Sequence, residues 1–455
     1  MSASTIQQQE PICALATASG VGAIAVIRVS GKGAIELTGQ FFKGKDLTKV
    51  DTHTVHFGTM RHQGTIIDEV LVTVFRSPHS FTKEDSVEIS CHGSDYIVRQ
   101  LLKVLATGGG RIARPGEFTQ RAFLNGQFDL VQAEAVADLI AADSELSHRT
   151  AMTQLRGGFS KKLQALREEL IHFASLVELE LDFGEEDVEF AERDDLRRLI
   201  HNLQGTIRPL IDSFDFGNAI KDGVPVAIIG SPNVGKSTLL NAFLNEEKAI
   251  VTDIAGTTRD VIEDILVLEG MKYRFIDTAG IRETQDVVES LGIERSRNAI
   301  EKADVVLLLF DSDDTLSEIK VLADSLPNDK KVIWVQNKAD LAHVEIPASL
   351  SDLGEVLRIS AKTQRGLDEL RQAIVAMVQN QSGSDTVVTN MRHYEHLIKT
   401  SEALTEVVNG LDNGITGDFL AQDIRLALYH LGEITGTIVS DDLLANIFSK
   451  FCIGK

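Results

Sequence analysis

Val226-Ala227-Ile228-Ile229-Gly230-Ser231-Pro232-Asn233-Val234-Gly235-Lys236-Ser237-Thr238 decides how the middle of this chain folds. Gly230 to Ser237 fits G-x-x-x-x-G-K-[S/T] throughout, an apolar strand precedes it, and a helical stretch, Thr238 to Leu244, follows. Each residue type answers a physical demand. Glycines let backbone N–H groups close around phosphate oxygens at the positive end of a helix. Lys236 is placed to neutralise the β and γ phosphates of a nucleoside triphosphate, and the Ser237 hydroxyl to ligate Mg²⁺. Asn233, Val234, Gly235 and Thr238 complete the expected phosphate cradle.

Further elements follow in the matching order. Asp277-Thr278-Ala279-Gly280 comes after the strand-like Tyr273 to Ile276, which puts Asp277 toward the metal shell and the Gly280 N–H at the γ-phosphate. Asn337-Lys338-Ala339-Asp340 follows the strand-like Val332 to Gln336. A carboxylate at Asp340 accepts both N1–H and N2–H₂ of guanine, donors that adenine does not present together. A site built to pair them rejects the analogue lacking them by a factor on the order of 10⁴. Ser360-Ala361-Lys362 offers a backbone donor for the guanine O6. The expected nucleotide is GTP.

Between these elements runs Thr252-Asp253-Ile254-Ala255-Gly256-Thr257-Thr258. Thr258 or Thr257 is placed to finish the Mg²⁺ shell. The run's hydroxyls and carbonyls are hard oxygen ligands suited to an alkali or alkaline-earth cation. Asn233 either adds an oxygen to that cation or is an ordinary turn residue. Ile281 occupies the place where many small GTPases carry a water-orienting glutamine. A polar group must therefore come from elsewhere, and Glu283, Asp286, Glu289 and Glu294 are all candidates by spacing.

Outward from this segment the texture changes. With 455 residues the chain is too long for one ordinary core, and about three domains are expected. Residues 1–120 read as a mixed α/β unit, with strand-like Gly22 to Val29, Glu69 to Phe75 and Ser86 to Ser90. Residues 121–222 turn rich in Ala, Leu, Glu and Gln. There Leu163, Leu166, Leu170, Phe173 and Val177 make one apolar stripe, read as a packed bundle helix rather than a ligand wall. Residues 223–380 alternate strands and helices as a parallel α/β domain does. Residues 381–455 return to helical texture near Met391, so the nucleotide domain reads as inserted between two helical parts. The acidic run Asp182 to Glu189 reads as a solvated loop.

Apolar residues make up 43% and charged ones 25%, the balance of a folded soluble protein. No apolar run approaches the roughly 18 residues that span a bilayer, and the N-terminus shows no secretory signal pattern. Three scattered cysteines without a CxxC pair suit a reducing cytoplasm. A net charge of −22 is unlike a protein that grips nucleic acid mainly by itself. Partners are then proteins and small molecules, or nucleic acid is held over a small patch or with help.

Together these features resemble the tRNA-modification GTPases called MnmE or TrmE. The resemblance covers the whole chain through GVGAIAVIRVSG, RPGEFTQRAFLNG, DLVQAEAVADLI, PNVGKS, TDIAGTTRD, DTAGIRET and the terminal FCIGK. It implies an N-terminal α/β domain that dimerises and binds a one-carbon tetrahydrofolate (formyl- or methylene-), a helical domain, and an inserted Ras-like G domain. It implies K⁺ beside GTP, held by Asn233, Thr252, Ile254 (carbonyl) and Thr257, with Ser237 and Thr258 on Mg²⁺. Its catalytic glutamate corresponds to Glu289, and its folate contacts to Arg28, Glu88, Gln127 and Lys455. Gln127 departs from the usual lysine and lacks its charge. The implied activity adds a carboxymethylaminomethyl or aminomethyl group to C5 of the wobble uridine of certain tRNAs, with an FAD-dependent GidA (MnmG) partner. Cys452 is then expected to act in the one-carbon step, against the plainer reading of a small buried hydrophobe. A ribosome-assembly GTPase of the Era or Der type is the alternative. It shares the G elements but carries a basic RNA-binding domain not seen after residue 380.

Overall fold

The computed structural model describes residues 10–182, 193–246, 263–276, 297–324, 326–327, 330–341, 356–379 and 386–454. Contacts divide the chain into two units. One comprises residues 1–140, 151–201 and 399–455; the other comprises 141–150 and 202–398.

The first unit carries a seven-stranded sheet. Its strands are β1 (Ile12–Leu15), β2 (Gly22–Ser30), β3 (Phe42–Lys43), β4 (Thr54–His62), β5 (Thr65–Phe75), β6 (Ser86–Gly93) and β7 (Arg111–Ile112). They lie in the order β3-β4-β5-β6-β2-β1-β7, antiparallel except for the β1–β7 pair. Period-2 alternation explains the faces: Val70, Val72 and Val74 of β5 and Val87 and Ile89 of β6 all point into one core. Helices Ala34–Phe41 and Asp95–Thr107 close that core with Ile35, Leu37, Leu101 and Leu105.

Helix Gly158–Asp182 confirms the predicted stripe, because Leu163, Leu166, Leu170, Phe173 and Val177 are all buried. It packs along helix Gly417–Thr435, and Arg425 Nε reaches Glu178 Oε1 at 2.8 Å. The expected boundary near residue 120 falls inside this unit. Phe118, on helix Glu117–Leu124, packs with Ile12 and Ala14 of β1, while Phe123 joins Leu444, Ile447 and Phe448 of helix Asp441–Ser449.

The second unit holds β8 (Val224–Gly230), β9 (Asp264–Leu268), β10 (Met271–Phe275), β11 (Val305–Phe310), β12 (Lys331–Gln336) and β13 (Val356–Arg358). They form one sheet in the order β13-β12-β11-β8-β10-β9, parallel except for the β9–β10 hairpin. β11 is buried on both faces, with Val305, Leu307 and Leu309 in one core and Val306, Leu308 and Phe310 in the other. The chain leaves β8 for β9 and β10 on one side, then returns to β11 on the other. That reversal makes the carboxyl end of β8 the switch point of the sheet, the place where nucleotides bind in such folds. Among the described residues no helix is long and apolar enough to cross a membrane.

Candidate nucleotide site and N-terminal Arg28 cluster

At the end of β8 the backbone turns sharply. Asn233 sits at φ 63° and Gly235 at φ 100°, and helix Lys236–Glu246 begins directly after. A Cβ on Gly235 would lie 2.3 Å from Asn337 Nδ2, so the second loop approaches the first too closely for any side chain there. Asn337, 2% exposed, is a strut. Its Nδ2 donates to Val234 O at 2.8 Å, and its Oδ1 accepts from Ala361 N at 3.0 Å. One amide side chain thus joins the phosphate loop, the Asn337–Asp340 loop and the Ser360–Lys362 loop. The Ala361 N–H, part of the tripeptide expected to face guanine O6, is turned to this amide.

Ser360, fully buried, donates its hydroxyl to Asp340 Oδ1 at 2.7 Å and accepts from Thr363 N at 3.2 Å. The first of these bonds draws the Asp340 carboxyl below its ordinary pKa. The residue expected to read guanine is therefore an exposed, ionised, oriented acceptor. Lys236 Nζ contacts Gly230 O at 2.6 Å and Ser231 O at 3.0 Å, and burial pushes its pKa down. An ammonium that, among the described residues, is held by carbonyls in desolvated surroundings gains from an anion. This donor set fits a polyphosphate, and the Ser237 hydroxyl in the first helical turn suits its Mg²⁺.

Several predicted residues lie outside the described ones. They are Thr252, Asp253, Ile254, Ala255, Gly256, Thr257, Thr258, Asp277, Thr278, Ala279, Gly280, Glu289 and Lys455. Glu283, Asp286 and Glu294 share that position.

In the first unit, Arg28 and Glu88 face each other across β2 and β6, with Arg28 Nη2 2.9 Å from Glu88 Oε1. Two rings missed by motif reading flank the guanidinium: Phe81 at 5.3 Å and Phe118 at 5.7 Å. Their positions in loops and helix starts carry no periodic signal. Gln127 is exposed beyond helix Glu117–Leu124, and its turn is tied to the Phe81 loop. Lys83 Nζ donates to Gly126 O at 2.6 Å, and the Phe81 and Phe128 rings stand 5.6 Å apart. A cation between two rings beside a carboxylate suits a flat, polar heterocycle such as a pterin.

Phe451 packs against Phe448, their centroids 5.3 Å apart, but Cys452 is exposed and Ile453 is 56% exposed. The chain docks instead through backbone. Gly116 N donates to Cys452 O at 3.4 Å, and Gly454, at φ 95°, lies so close to β1 that a Cβ would meet Leu15 O at 2.1 Å. Cys452 is not a buried hydrophobe. Cys13 and Cys91 are, and burial pushes both thiols up to about 11.

A β-strand, phosphate loop and helix at the switch point of a parallel sheet, joined by a strut to a loop with an oriented carboxylate, define a P-loop protein of the GTPase class. Residues 130–452 match the family model described as MnmE helical domain, and residues 11–127 match GTP-binding protein TrmE N-terminus. The chain is 55% identical to the tRNA modification GTPase MnmE of Cytophaga hutchinsonii, over 100% of both chains. It is 53% identical to the tRNA modification GTPase MnmE of Bacteroides fragilis, over 98% of this chain and 100% of that one. The chain belongs to the MnmE family of tRNA modification GTPases. That full-length match sets aside the ribosome-assembly alternative.

Proposed function

We propose that this GTP hydrolase of tRNA modification is K⁺-dependent and adds a carboxymethylaminomethyl or aminomethyl group to C5 of the wobble uridine. It works as a homodimer with an FAD-dependent GidA (MnmG) partner. The observation that carries the nucleotide reading is the Asn337 strut, which brings the phosphate loop and the Asp340 carboxylate into one site. The kinship to proteins named tRNA modification GTPase supports the rest.

Asp340 accepts the guanine donors, and Lys236 steadies the β and γ phosphates as negative charge develops on the leaving oxygen. Ser237 and Thr258 hold Mg²⁺. Asn233, Thr252, Thr257 and the Ile254 carbonyl hold K⁺, which supplies positive charge where other GTPases use an arginine. Asn233 is already turned into the left-handed region at the loop's edge, leaving its side chain exposed and available. Glu289 orients the attacking water, since Ile281 is apolar. GTP hydrolysis drives pairing of the G domains and a conformational change that is transmitted to the modification step. There Arg28, Glu88, Gln127 and Lys455 hold a one-carbon tetrahydrofolate, and the exposed Cys452 acts as nucleophile or acid/base. An acidic chain leaves most tRNA contact to its partner, and a cytoplasmic setting follows from the tRNA substrate.

Hydrolysis in K⁺ and in Na⁺ at equal ionic strength tests the cation. The native chain is expected to be much faster in K⁺, Asn233→Ala to flatten the difference, and Glu289→Ala to lose roughly 10²-fold with GTP affinity kept. Equal native rates in both salts defeat the K⁺ assignment. Normal hydrolysis by Glu289→Ala, with loss in Glu283→Ala or Asp286→Ala, moves the catalytic role to another carboxylate.

A further inference from the structure

The junction from the end of β11 into helix Asp313–Ala323 touches both nucleotide-binding loops, yet belongs to no nucleotide-binding motif. Lys338 Nζ lies 2.6 Å from Asp311 Oδ2, with the two side chains 36% and 17% exposed. Asp311 is itself fixed. Thr315 Oγ1 donates to its Oδ1 at 3.2 Å, and Asp311 N donates back to Thr315 Oγ1 at 3.1 Å. Asn337 N bonds Phe310 O at 2.8 Å, so the two strand ends stay level and the ion pair spans one strand spacing. Further along the same helix, Glu318 Oε2 accepts from Ser231 Oγ at 2.5 Å. The carbonyl of that same Ser231 holds Lys236 Nζ at 3.0 Å.

We propose that residues 311–318 form a bracket for the nucleotide, in which Asp311 positions Lys338 and Glu318 positions Ser231. Neither carboxylate is proposed to touch the nucleotide; Asp311 acts through Lys338 of the base-reading loop, and Glu318 through Ser231, whose carbonyl holds Lys236. Lysine carries a compact charge on a flexible four-carbon stem. Left alone, the Lys338 stem must be ordered at the moment of binding, and that ordering costs affinity. The Asp311 pair orders it beforehand. Glu318 does the same for the loop carbonyl that steers Lys236. Because both carboxylates lie on one junction, the base-reading loop and the phosphate loop keep a fixed separation.

The inference rests on the guanine-nucleotide reading of the site. Its test is the release rate of a fluorescent GDP analogue from the full-length chain. Asp311→Asn is expected to release it about tenfold faster, and Asp311→Glu to recover part of the loss. In a Lys338→Met background, Asp311→Asn should add nothing, because the partner it positions is gone. Glu318→Gln should speed release several-fold, an effect absent in a Ser231→Ala background. A native rate in Asp311→Asn overturns the proposal, as does full multiplication of its effect on that of Lys338→Met. Glu318 pairs at an exposed surface, so Glu318→Gln keeps the fold, and a native rate there overturns the bracket independently. A native chain that binds no GDP defeats the nucleotide reading itself; binding with unaltered release in the variants defeats only the bracket.

Discussion

Gly235 shows how one missing side chain sets the geometry of the nucleotide site. Its φ of 100° is open to glycine, and its would-be Cβ collides with Asn337 Nδ2 at 2.3 Å. Gly235→Ala therefore strains the loop and displaces the strut that joins three loops. Its GDP affinity should fall by at least about tenfold, while the chain still melts cooperatively. Titration calorimetry with GDP measures this, and native affinity in the alanine variant contradicts it. The glycine itself was legible, because the phosphate-loop motif is contiguous. The strut was not. The sequence marks Asn337 only as part of a guanine motif, and its bond to a carbonyl 103 residues away depends on the register of β8, β11 and β12. The Asp311 and Glu318 pairs escaped for the same reason.

Helix Glu117–Leu124 is the element that ties the N-terminal sheet to the tail. Its Glu117, 2% exposed, meets Arg111 Nη2 at 2.5 Å, the Arg114 N–H at 2.8 Å and Arg121 Nη2 at 3.4 Å. Burial pushes the Glu117 pKa up, but the bonds from Arg111 and Arg114 and the charges of Arg111 and Arg121 outweigh it, leaving about 2. The folded value lies below the ordinary carboxyl value, so the network's contribution is full above about pH 4.5 and disappears as pH falls toward 2. Acid unfolding followed by circular dichroism should show this loss in the native chain. Glu117→Gln should be less stable at neutral pH and flatter between pH 4.5 and 2; an unchanged acid slope would remove Glu117 from the account. The amphipathic stripe of helix Gly158–Asp182 was legible because it is local and periodic. The burial of helix Glu117–Leu124 was not, since its partners come from β1 and from the last helix.

Across the whole chain, the residues proposed for GTP hydrolysis and those proposed for uridine modification lie far apart in sequence, so the two activities should separate by mutation. Cys452, held exposed by Gly116 and Gly454, takes no part in the phosphate loop. Cys452→Ser should keep GTP binding and K⁺-stimulated hydrolysis yet abolish or strongly reduce modification when the flavoprotein partner, GTP and one-carbon folate are supplied. Full modification by the serine variant reduces Cys452 to a tail residue. The site ordered by Asn337 and Asp340 is proposed to read guanine and to drive modification of the wobble uridine. The modified nucleoside in digested tRNA, after reaction with GTP or with xanthosine triphosphate, tests both at once. Xanthine presents a carbonyl where guanine presents its amino group, so Asp340→Asn should exchange one nucleotide for the other. The native chain should support modification with GTP and not with xanthosine triphosphate, and Asp340→Asn should show the reverse preference. Modification that proceeds equally with either nucleotide, or with GTP as well in Asp340→Asn as in the native chain, would contradict this reading.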